Sequence, residues 1–303
     1  MTRVLSRTFK EVTSMFLPHK ILEYKLLQIF AEDIGQGDIT TSIVVADGTK
    51  AEADVIAKQS GIVAGIEETM ILLESLGLEA KALVTDGQEV KARQVLLNVS
   101  GNARNILAVE RTLLNILSRM SGIATATRNL VEKLRKARLK TKVACTRKTA
   151  PGLMYFDKKA VQVGGGDTHR LHLDDMILIK DNHITIVGNV KKAVETAKKS
   201  ASLTKKVEVE VTKTEDILKA VESGADIVML DNFTPEKVKK AVDLLKENRL
   251  RGKVLLEASG GITAENILDY ASTGVNLVSL GELTQSPRAL DISLEITKVT
   301  KKT

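Results

Sequence analysis

The chain has 303 residues, of which 43% are hydrophobic and 27% charged, and its net charge is +7. This length and apolar content suffice for two globular domains or one large α/β barrel. Only 3% of the residues are aromatic and none is Trp, which disfavours a protein that stacks nucleic-acid bases. No apolar run is long enough to span a membrane, and residues 15–17 are too few for a signal-peptide core. We therefore predict a cytoplasmic protein without nucleic-acid or membrane partners.

The chain contains one cysteine, Cys145, and four histidines. A single cysteine excludes an internal disulfide framework, and the histidines lack the HExxH and CxxC spacings of zinc sites. Any metal is therefore expected to be held by oxygen ligands. Because Cys145 lies in an apolar segment with no adjacent base, we interpret it as a small buried residue and not as an activated thiol.

Lysine pairs recur within or beside the helical patterns of the sequence. Adjacent lysines on a helix usually lie on a solvated face, so we predict exposure for the pairs at 158–159, 191–192, 198–199 and 239–240. The net positive charge is then expected to steer a multiply anionic small substrate towards the protein.

The N-terminal part of the sequence predicts a small α/β layer. Apolar residues at helical spacing predict a first helix over residues 21–34. Short alternating runs between residues 51 and 100, punctuated by glycines, predict a mostly antiparallel sheet with one helix over residues 66–76. Two further helices are predicted over residues 103–120 and 121–137, with Ser121 as the N-cap of the second.

Beyond residue 140, strands and helices alternate regularly. Six strands are predicted, near residues 142–146, 176–180, 207–211, 226–230, 254–257 and 275–280. Their apolar runs are typical of parallel strands covered by helices, as in a barrel or a doubly wound sheet. Polar residues follow the carboxyl end of every strand, whereas a doubly wound sheet concentrates them at one switch point. This distribution favours a barrel of six strands.

Cationic residues at these strand ends predict an anion-binding pocket. Arg147, Lys148, Arg170 and Lys180, with His169 beside them, supply several donors to one rim. Guanidinium groups bind carboxylates and phosphates in a two-point fork. The expected ligand is therefore a planar dicarboxylate or a phosphate.

Two carboxylates, Glu210 and Asp231, end adjacent predicted strands. Carboxylates beside anionic phosphates are best explained by a bridging Mg²⁺, which needs few protein ligands. Neutralisation of the pocket lysines without a metal is the alternative interpretation. Glu208 shares the strand face of Glu210 and is a further metal candidate.

Glycines after the last two strands predict a phosphate cradle, which barrels often form there. Small residues between a strand and a helix start let backbone N–H groups approach a phosphate. We expect six residues to contribute: Ser259, Gly260, Gly261, Leu280, Gly281 and Glu282. The glycines at 164–166 are equally well explained as a flexible connector that lets His169 and Arg170 reach inward.

Motifs spread over most of the chain resemble those of the quinolinate phosphoribosyltransferases, also called nicotinate-nucleotide pyrophosphorylases (carboxylating). They are EDIGQGDIT (32–40), ERTLLN (110–115), SGIATAT (121–127), TRKTAPGL (146–153), GGGDTHR (164–170), LIKDNH (178–183), VEVEV (207–211), MLDN (229–232), EASGGI (257–262) and LTQS (283–286). The resemblance implies an N-terminal α/β sandwich over residues 1–124, on which residues 287–303 pack, and a TIM-like, six-stranded open α/β barrel over residues 125–286. It also implies a homodimer, or a higher oligomer, with active sites between subunits.

The implied reaction joins quinolinate to phosphoribosyl pyrophosphate with Mg²⁺ as cofactor. It releases pyrophosphate and carbon dioxide and gives nicotinate mononucleotide for NAD biosynthesis. Implied quinolinate ligands are Arg111, Thr146, Arg147, Lys148, His169, Arg170 and Lys180. Lys148, Glu210 and Asp231 are the implied catalytic residues, and the two carboxylates would hold Mg²⁺.

Two residues depart from the family pattern. Met154 stands where arginine usually follows PGL, which removes a cation near the dicarboxylate site, and Gln285 stands where LTHS has histidine. Met154 is the only sequence support for an alternative, a paralogue of the molybdenum-transport-associated type with another substrate. A nicotinate-specific transferase is a second alternative, although a substrate with one carboxylate would not need so many cations.

Overall fold

The computed structural model describes residues 17–300, which form two compact units. Of the described residues, 17–124 and 289–300 form the first unit, and Thr125–Arg288 form the second. Within the described range, no helix has both the length and the apolar character to cross a membrane.

Helices and strands follow one another along the chain in this order: α1 (His19–Ile34), α2 (Ile39–Val44), β1 (Lys50–Ala57), β2 (Gly61–Ile62), α3 (Ile66–Ser75), β3 (Glu79–Ala82), β4 (Glu89–Val90), β5 (Val95–Asn102), α4 (Ala103–Lys136), β6 (Lys142–Cys145), α5 (Met154–Gly164), β7 (Ile177–Ile179), α6 (Asp181–Val187), α7 (Val190–Ser200), β8 (Val207–Val211), α8 (Glu215–Glu222), β9 (Ile227–Asp231), α9 (Pro235–Glu247), β10 (Leu255–Ser259), α10 (Ile267–Ala271), β11 (Leu277–Leu280), α11 (Glu282–Gln285) and β12 (Ile292–Thr300).

The first unit is built on a four-stranded sheet in the order β12-β1-β5-β3. All three pairings are antiparallel, and β12 brings the C-terminal segment onto β1. Along β1, Ala51, Ala53, Val55 and Ala57 are buried and alternate with exposed or half-buried residues. This alternation shows that one face of the sheet packs on the core of the unit.

A single helix, α4, replaces the two helices predicted for residues 103–137. The predicted break at Ser121 was wrong. The Ser121 side chain is buried within the helix, where its hydroxyl accepts from the Ala64 N–H at 3.1 Å and lies 3.3 Å from the Ala64 carbonyl oxygen. A serine whose hydroxyl is satisfied by neighbouring backbone remains inside a helix at little cost.

The second unit is a parallel six-stranded sheet in the order β6-β11-β10-β9-β8-β7. The first strand, β6, pairs with the last, β11, while β7 pairs only with β8. The sheet therefore curls round with an opening between β6 and β7, which confirms the predicted six-stranded open α/β barrel. Buried runs such as Val207–Val211, in which all five residues are buried, are typical of such strands.

The segment that follows α5 occupies the opening beside β6. Asp167 forms an isolated parallel bridge with Ala144: its N–H donates to the Val143 carbonyl at 2.7 Å and its carbonyl accepts from the Cys145 N–H at 3.2 Å. Gly166 makes this approach possible, since a Cβ there would lie only 2.7 Å from Thr127 Cγ2. Gly166 thus permits close packing of this segment.

Candidate active site

A cavity of about 580 Å³ opens at the carboxyl ends of the barrel strands and receives residues from all six. Thirteen predicted site residues line it: Thr146, Arg147, Lys148, His169, Arg170, Lys180, Glu210, Asp231, Ser259, Gly260, Gly261, Gly281 and Glu282. The barrel topology explains this convergence, because parallel strands end at the same rim.

Two predicted residues are not among those that line the cavity. Leu280 is fully buried in β11, so only its backbone remains available at the rim. Arg111 lies on α4 in the first unit, where it is exposed.

Cations without carboxylate partners face the cavity. Within residues 17–300, no carboxylate lies within ion-pair distance of Arg147, Lys148 or Arg170, while Lys180 Nζ lies 2.5 Å from Glu210 Oε2. Burial, and then the nearby Arg147 cation, lower the pKa of Arg170. Cations held together without partners repel one another, and an anion bound among them removes that repulsion.

The position of Lys148 is set by its backbone. Its N–H donates to Thr146 Oγ1 at 3.1 Å, and its carbonyl accepts from the Thr284 hydroxyl at 2.8 Å. These bonds fix the loop after β6 on both sides of the residue, while the ammonium remains exposed. Lys148 is therefore a positioned cation at the cavity rim.

His169 faces two buried carboxylates inside the barrel. Its Nε2 lies 3.0 Å from Glu257 Oε2 and 3.3 Å from Glu208 Oε2, and the Ser279 hydroxyl donates to Glu257 Oε1 at 2.5 Å. Burial alone would lower the pKa of His169, but the hydrogen bonds and charges of the two glutamates raise it to about 10. His169 is therefore an imidazolium at neutral pH. Burial raises the pKa of Glu208.

The ligand atoms of His169, Glu208 and Glu257 all lie within 4.8 Å of one another, which is close enough to hold a metal ion. Because His169 Nε2 lies within 3.3 Å of an oxygen of each glutamate, we interpret this cluster as an ion-pair network. Glu208, a candidate metal ligand in the sequence, is fully buried and faces His169.

Glu210 and Asp231, on the neighbouring strands β8 and β9, are two of the four carboxylates that line the cavity; the others are Glu257 and Glu282. One oxygen of each is occupied, by Lys180 in the case of Glu210 and by the Asn232 side-chain amide at 2.7 Å in the case of Asp231. The second oxygen of each has no partner within residues 17–300. Two uncommitted carboxylate oxygens match the few hard ligands that Mg²⁺ takes from a protein.

Asn232 and Gly260 pack closely against each other at the ends of β9 and β10. Asn232 adopts a left-handed conformation (φ +56°), and its N–H donates to the Ser259 carbonyl at 2.8 Å. A Cβ on Gly260 would lie 2.3 Å from Asn232 Oδ1. Asn232 lies in the MLDN motif at the predicted rim and lines the cavity, but the motif does not reveal its contact with Gly260. The helix predicted to follow the glycines begins only at Ile267, so N–H groups near Gly260 belong to a loop.

The two departures from the family motifs lie in different places. Gln285 lines the cavity beside Gly281, with its Oε1 3.6 Å from the position of a Cβ there. Met154 is half-buried at the start of α5 and is not among the lining residues. Apolar lining residues without a predicted site role are Cys145, Leu178, Met229 and Ile262. Cys145 is buried as predicted, and burial raises the pKa of its thiol.

The prediction for the lysine pairs was wrong at one place. The pairs at 191–192, 198–199 and 239–240 are exposed, as expected, but Lys158 and Lys159 are 0% and 3% exposed. The helical pattern of α5 did not reveal this, because both of its faces are covered and eight of its eleven residues are buried.

Comparison with known proteins agrees with this architecture. The model of the quinolinate phosphoribosyl transferase C-terminal domain matches residues 123–295, and that of the N-terminal domain matches residues 38–121. The chain is 45% identical over 269 residues to a probable nicotinate-nucleotide pyrophosphorylase (carboxylating) of Methanothermobacter thermautotrophicus, covering 89% of this chain and 96% of the relative. A probable enzyme of the same name from Bacillus subtilis is 39% identical over 282 residues, covering 92% and 94%.

The solved structure of the nicotinate-nucleotide pyrophosphorylase from Francisella tularensis superposes with a TM-score of 0.85 at 39% identity, covering 93% of this chain and 98% of that one. Both domains, the order of the motifs and the barrel thus lead to one assignment: the chain belongs to the quinolinate phosphoribosyltransferase family.

Proposed function

We propose that this protein transfers the phosphoribosyl group of phosphoribosyl pyrophosphate to quinolinate and decarboxylates the product to nicotinate mononucleotide. The observation that carries the proposal is the set of three cations, Arg147, Lys148 and Arg170, which line one cavity with His169 and have no carboxylate partner within residues 17–300. Both substrates are multiply anionic, so cations that are free of carboxylate partners match them. The relatives named probable nicotinate-nucleotide pyrophosphorylase (carboxylating) support the same reaction.

Quinolinate carries two adjacent carboxylates on a planar ring. Arg147 and Arg170 offer forked donors to them, and Lys180 adds an ammonium from the opposite edge of the barrel. His169 keeps Nε2 on the buried glutamates, which leaves its Nδ1–H to bind substrate. Apolar lining from Leu178 and Met229 suits the ring faces.

Mg²⁺, held by the free oxygens of Glu210 and Asp231, would neutralise charge on the pyrophosphate. The chain itself supplies orientation, because the loops around Ser259, Gly260 and Gly281 line the cavity and their backbone N–H groups would bind the 5′-phosphate. Fixed at both ends, phosphoribosyl pyrophosphate would present its anomeric carbon to the pyridine nitrogen.

Cations at the rim would then stabilise negative charge at two steps of the reaction. Lys148 would favour the departure of pyrophosphate from the anomeric carbon of the ribose while the pyridine nitrogen forms its bond to that carbon. Alkylation makes the ring an electron sink, so the C2 carboxylate leaves as carbon dioxide and the ring carbon takes a proton. The ammonium of Lys148, exposed and held by its backbone, would stabilise the negative charge that develops there.

The decisive experiment incubates the protein with phosphoribosyl pyrophosphate and Mg²⁺ together with either quinolinate or nicotinate. We expect carbon dioxide and nicotinate mononucleotide from quinolinate, and no product from nicotinate. Lys148→Ala and Arg170→Ala should each remove most of the turnover while circular dichroism stays unchanged. Equal turnover of nicotinate, or product without carbon dioxide, would contradict the proposal.

The alternative substrates are less well supported by the cavity. Nicotinate has one carboxylate and would leave part of the cationic set unpaired. Met154, on which a molybdenum-transport-associated paralogue rests, is not among the cavity residues. Within residues 17–300, the structure therefore offers no feature that favours either alternative substrate.

We further propose that the protein acts as a homodimer in which Arg111 completes the partner's site. The support is the family pattern, together with the exposure of Arg111 on α4. In a symmetric dimer, Arg111→Ala and Lys148→Ala homodimers would both be nearly inactive, but mixed dimers would contain one intact site. Refolding the two variants together should restore activity. Absence of activity after subunit exchange has been shown by mass spectrometry would place Arg111 outside the shared site.

A further inference from the structure

Lys158 is a buried cation that the proposed reaction does not use. It lies in α5 with 0% of its surface exposed, and within residues 17–300 no carboxylate lies within ion-pair distance of its Nζ. Burial is the main effect that lowers the pKa of Lys158. A buried amine is unfavourable unless its hydrogen bonds are satisfied, so the contacts of Nζ indicate its role.

Lys158 Nζ donates to two backbone carbonyls, that of Thr168 at 2.5 Å and that of Arg170 at 3.2 Å. These carbonyls lie on either side of His169. One ammonium therefore binds the backbone before and after this histidine, from the side of α5.

The backbone at His169 needs such support. Its φ of +52° lies in the left-handed region, which residues with side chains rarely adopt. Within residues 17–300, the backbone of the segment pairs with β6 at a single bridge, between Ala144 and Asp167. The Cys145 thiol of β6 adds a long hydrogen bond to the Thr168 carbonyl at 3.5 Å, and the His169 ring contacts Glu257 at 3.0 Å. The local bonds are those of the His169 N–H to Asp167 Oδ1 at 2.9 Å and of the Thr168 hydroxyl to the His169 carbonyl at 3.0 Å.

We propose that Lys158 is a positioning residue that holds His169 and Arg170 towards the anion cavity by binding the Thr168 and Arg170 carbonyls. The inference rests on the proposed function to the extent that these two side chains bind quinolinate. It predicts a selective defect, because the loops near Gly260 and Gly281, which would bind phosphoribosyl pyrophosphate under the proposed function, follow other strands.

The test is Lys158→Met, which keeps the length of the side chain and removes its donors. We expect the KM for quinolinate to rise about tenfold or more, while the KM for phosphoribosyl pyrophosphate changes less than threefold. Lys159→Met is the matched control, since it places a methionine at the adjacent buried position of the same helix. The ratio of the two KM values should stay at the wild-type value in this control.

A folded Lys158→Met variant with both KM values unchanged, or with both raised equally, would overturn the proposal. If Lys158→Met does not fold, Lys158→Gln is measured, because its amide keeps two N–H donors. The same selective rise, reduced in size, is then expected. Failure of both variants to fold would also overturn the proposal, since Lys158 would then be required for folding itself.

A substrate-free measurement separates this inference from the proposed function. The imidazole resonances of His169 in isotope-labelled protein should shift in Lys158→Met and remain in place in Lys159→Met. If wild-type protein does not turn over quinolinate, the proposed function fails, while the resonances still decide whether Lys158 positions His169.

Discussion

Gly260→Ala should destabilise the loop after β10 because there is no space for the new methyl group. The Cβ would lie 2.3 Å from Asn232 Oδ1, 2.7 Å from its Cγ and 2.9 Å from its backbone nitrogen. Contacts this short require the Asn232 side chain or the backbone after β9 to move. Asp231, whose Oδ2 accepts from the Asn232 amide, would move with it.

The cost has two parts. Gly260 has a φ of +90°, where a residue with a side chain is strained by about 1–3 kcal/mol. Overpacking in a well-packed region costs about 1–3 kcal/mol more. We therefore expect the free energy of unfolding to fall by about 2–6 kcal/mol, a large share of the stability of a typical protein, which is about 5–15 kcal/mol.

The neighbouring glycine provides a control for strain alone. Gly261 also has a positive φ, +63°, but a Cβ there meets nothing within 4 Å. Gly261→Ala should thus cost only the left-handed penalty of about 1–2 kcal/mol. Asn232→Gly in the Gly260→Ala background should restore part of the loss, because the side chain disappears while the backbone nitrogen at 2.9 Å remains.

Urea unfolding of the three variants and the wild type measures these differences. Steady-state kinetics should show a higher KM for phosphoribosyl pyrophosphate in Gly260→Ala than in Gly261→Ala. The reasoning would be refuted if Gly260→Ala lost no more stability than Gly261→Ala, or if Asn232→Gly restored none of it.

Three other predictions follow from the site. The pKa of His169 is raised from 6.5 to about 10, so its charged form stabilises the fold fully below pH 6.5, and this stabilisation disappears as the pH rises to about 10. The difference in unfolding free energy between wild type and His169→Gln should therefore be larger at pH 6 than at pH 9.5. An equal difference at the two pH values would count against a charged His169. Asp231→Asn should raise the Mg²⁺ concentration needed for half-maximal activity, because an amide is a weaker ligand, and an unchanged metal titration would exclude this role. Gly166→Ala should lower the unfolding free energy by about 1–3 kcal/mol through overlap with Thr127 and Val161, and a melting curve like that of the wild type would show that the segment can move away.

The sequence indicated the barrel and its rim because both follow from local patterns. Apolar runs placed the strands, and polar residues such as Asp231 follow them directly, so their convergence needed only the topology of a parallel barrel. Helix ends were less predictable. Ser121 resembled an N-cap, but its hydroxyl is satisfied by Ala64, which is distant in sequence. The burial of Lys158 was missed for the same reason, since the carbonyls that accept its hydrogen bonds lie ten and twelve residues further along the chain.

The irregular segment in the opening of the barrel determines which side chains line that part of the cavity. Successive side chains of a β-strand point to opposite faces, so a strand presents only every second residue to the barrel interior. At the opening, by contrast, the consecutive residues His169 and Arg170 both line the cavity. The left-handed turn of the chain at His169 breaks the alternation that a seventh strand would impose. Because no strand fills this opening, two consecutive cationic residues line the cavity there. A regular β-strand would present only one of the two to the interior.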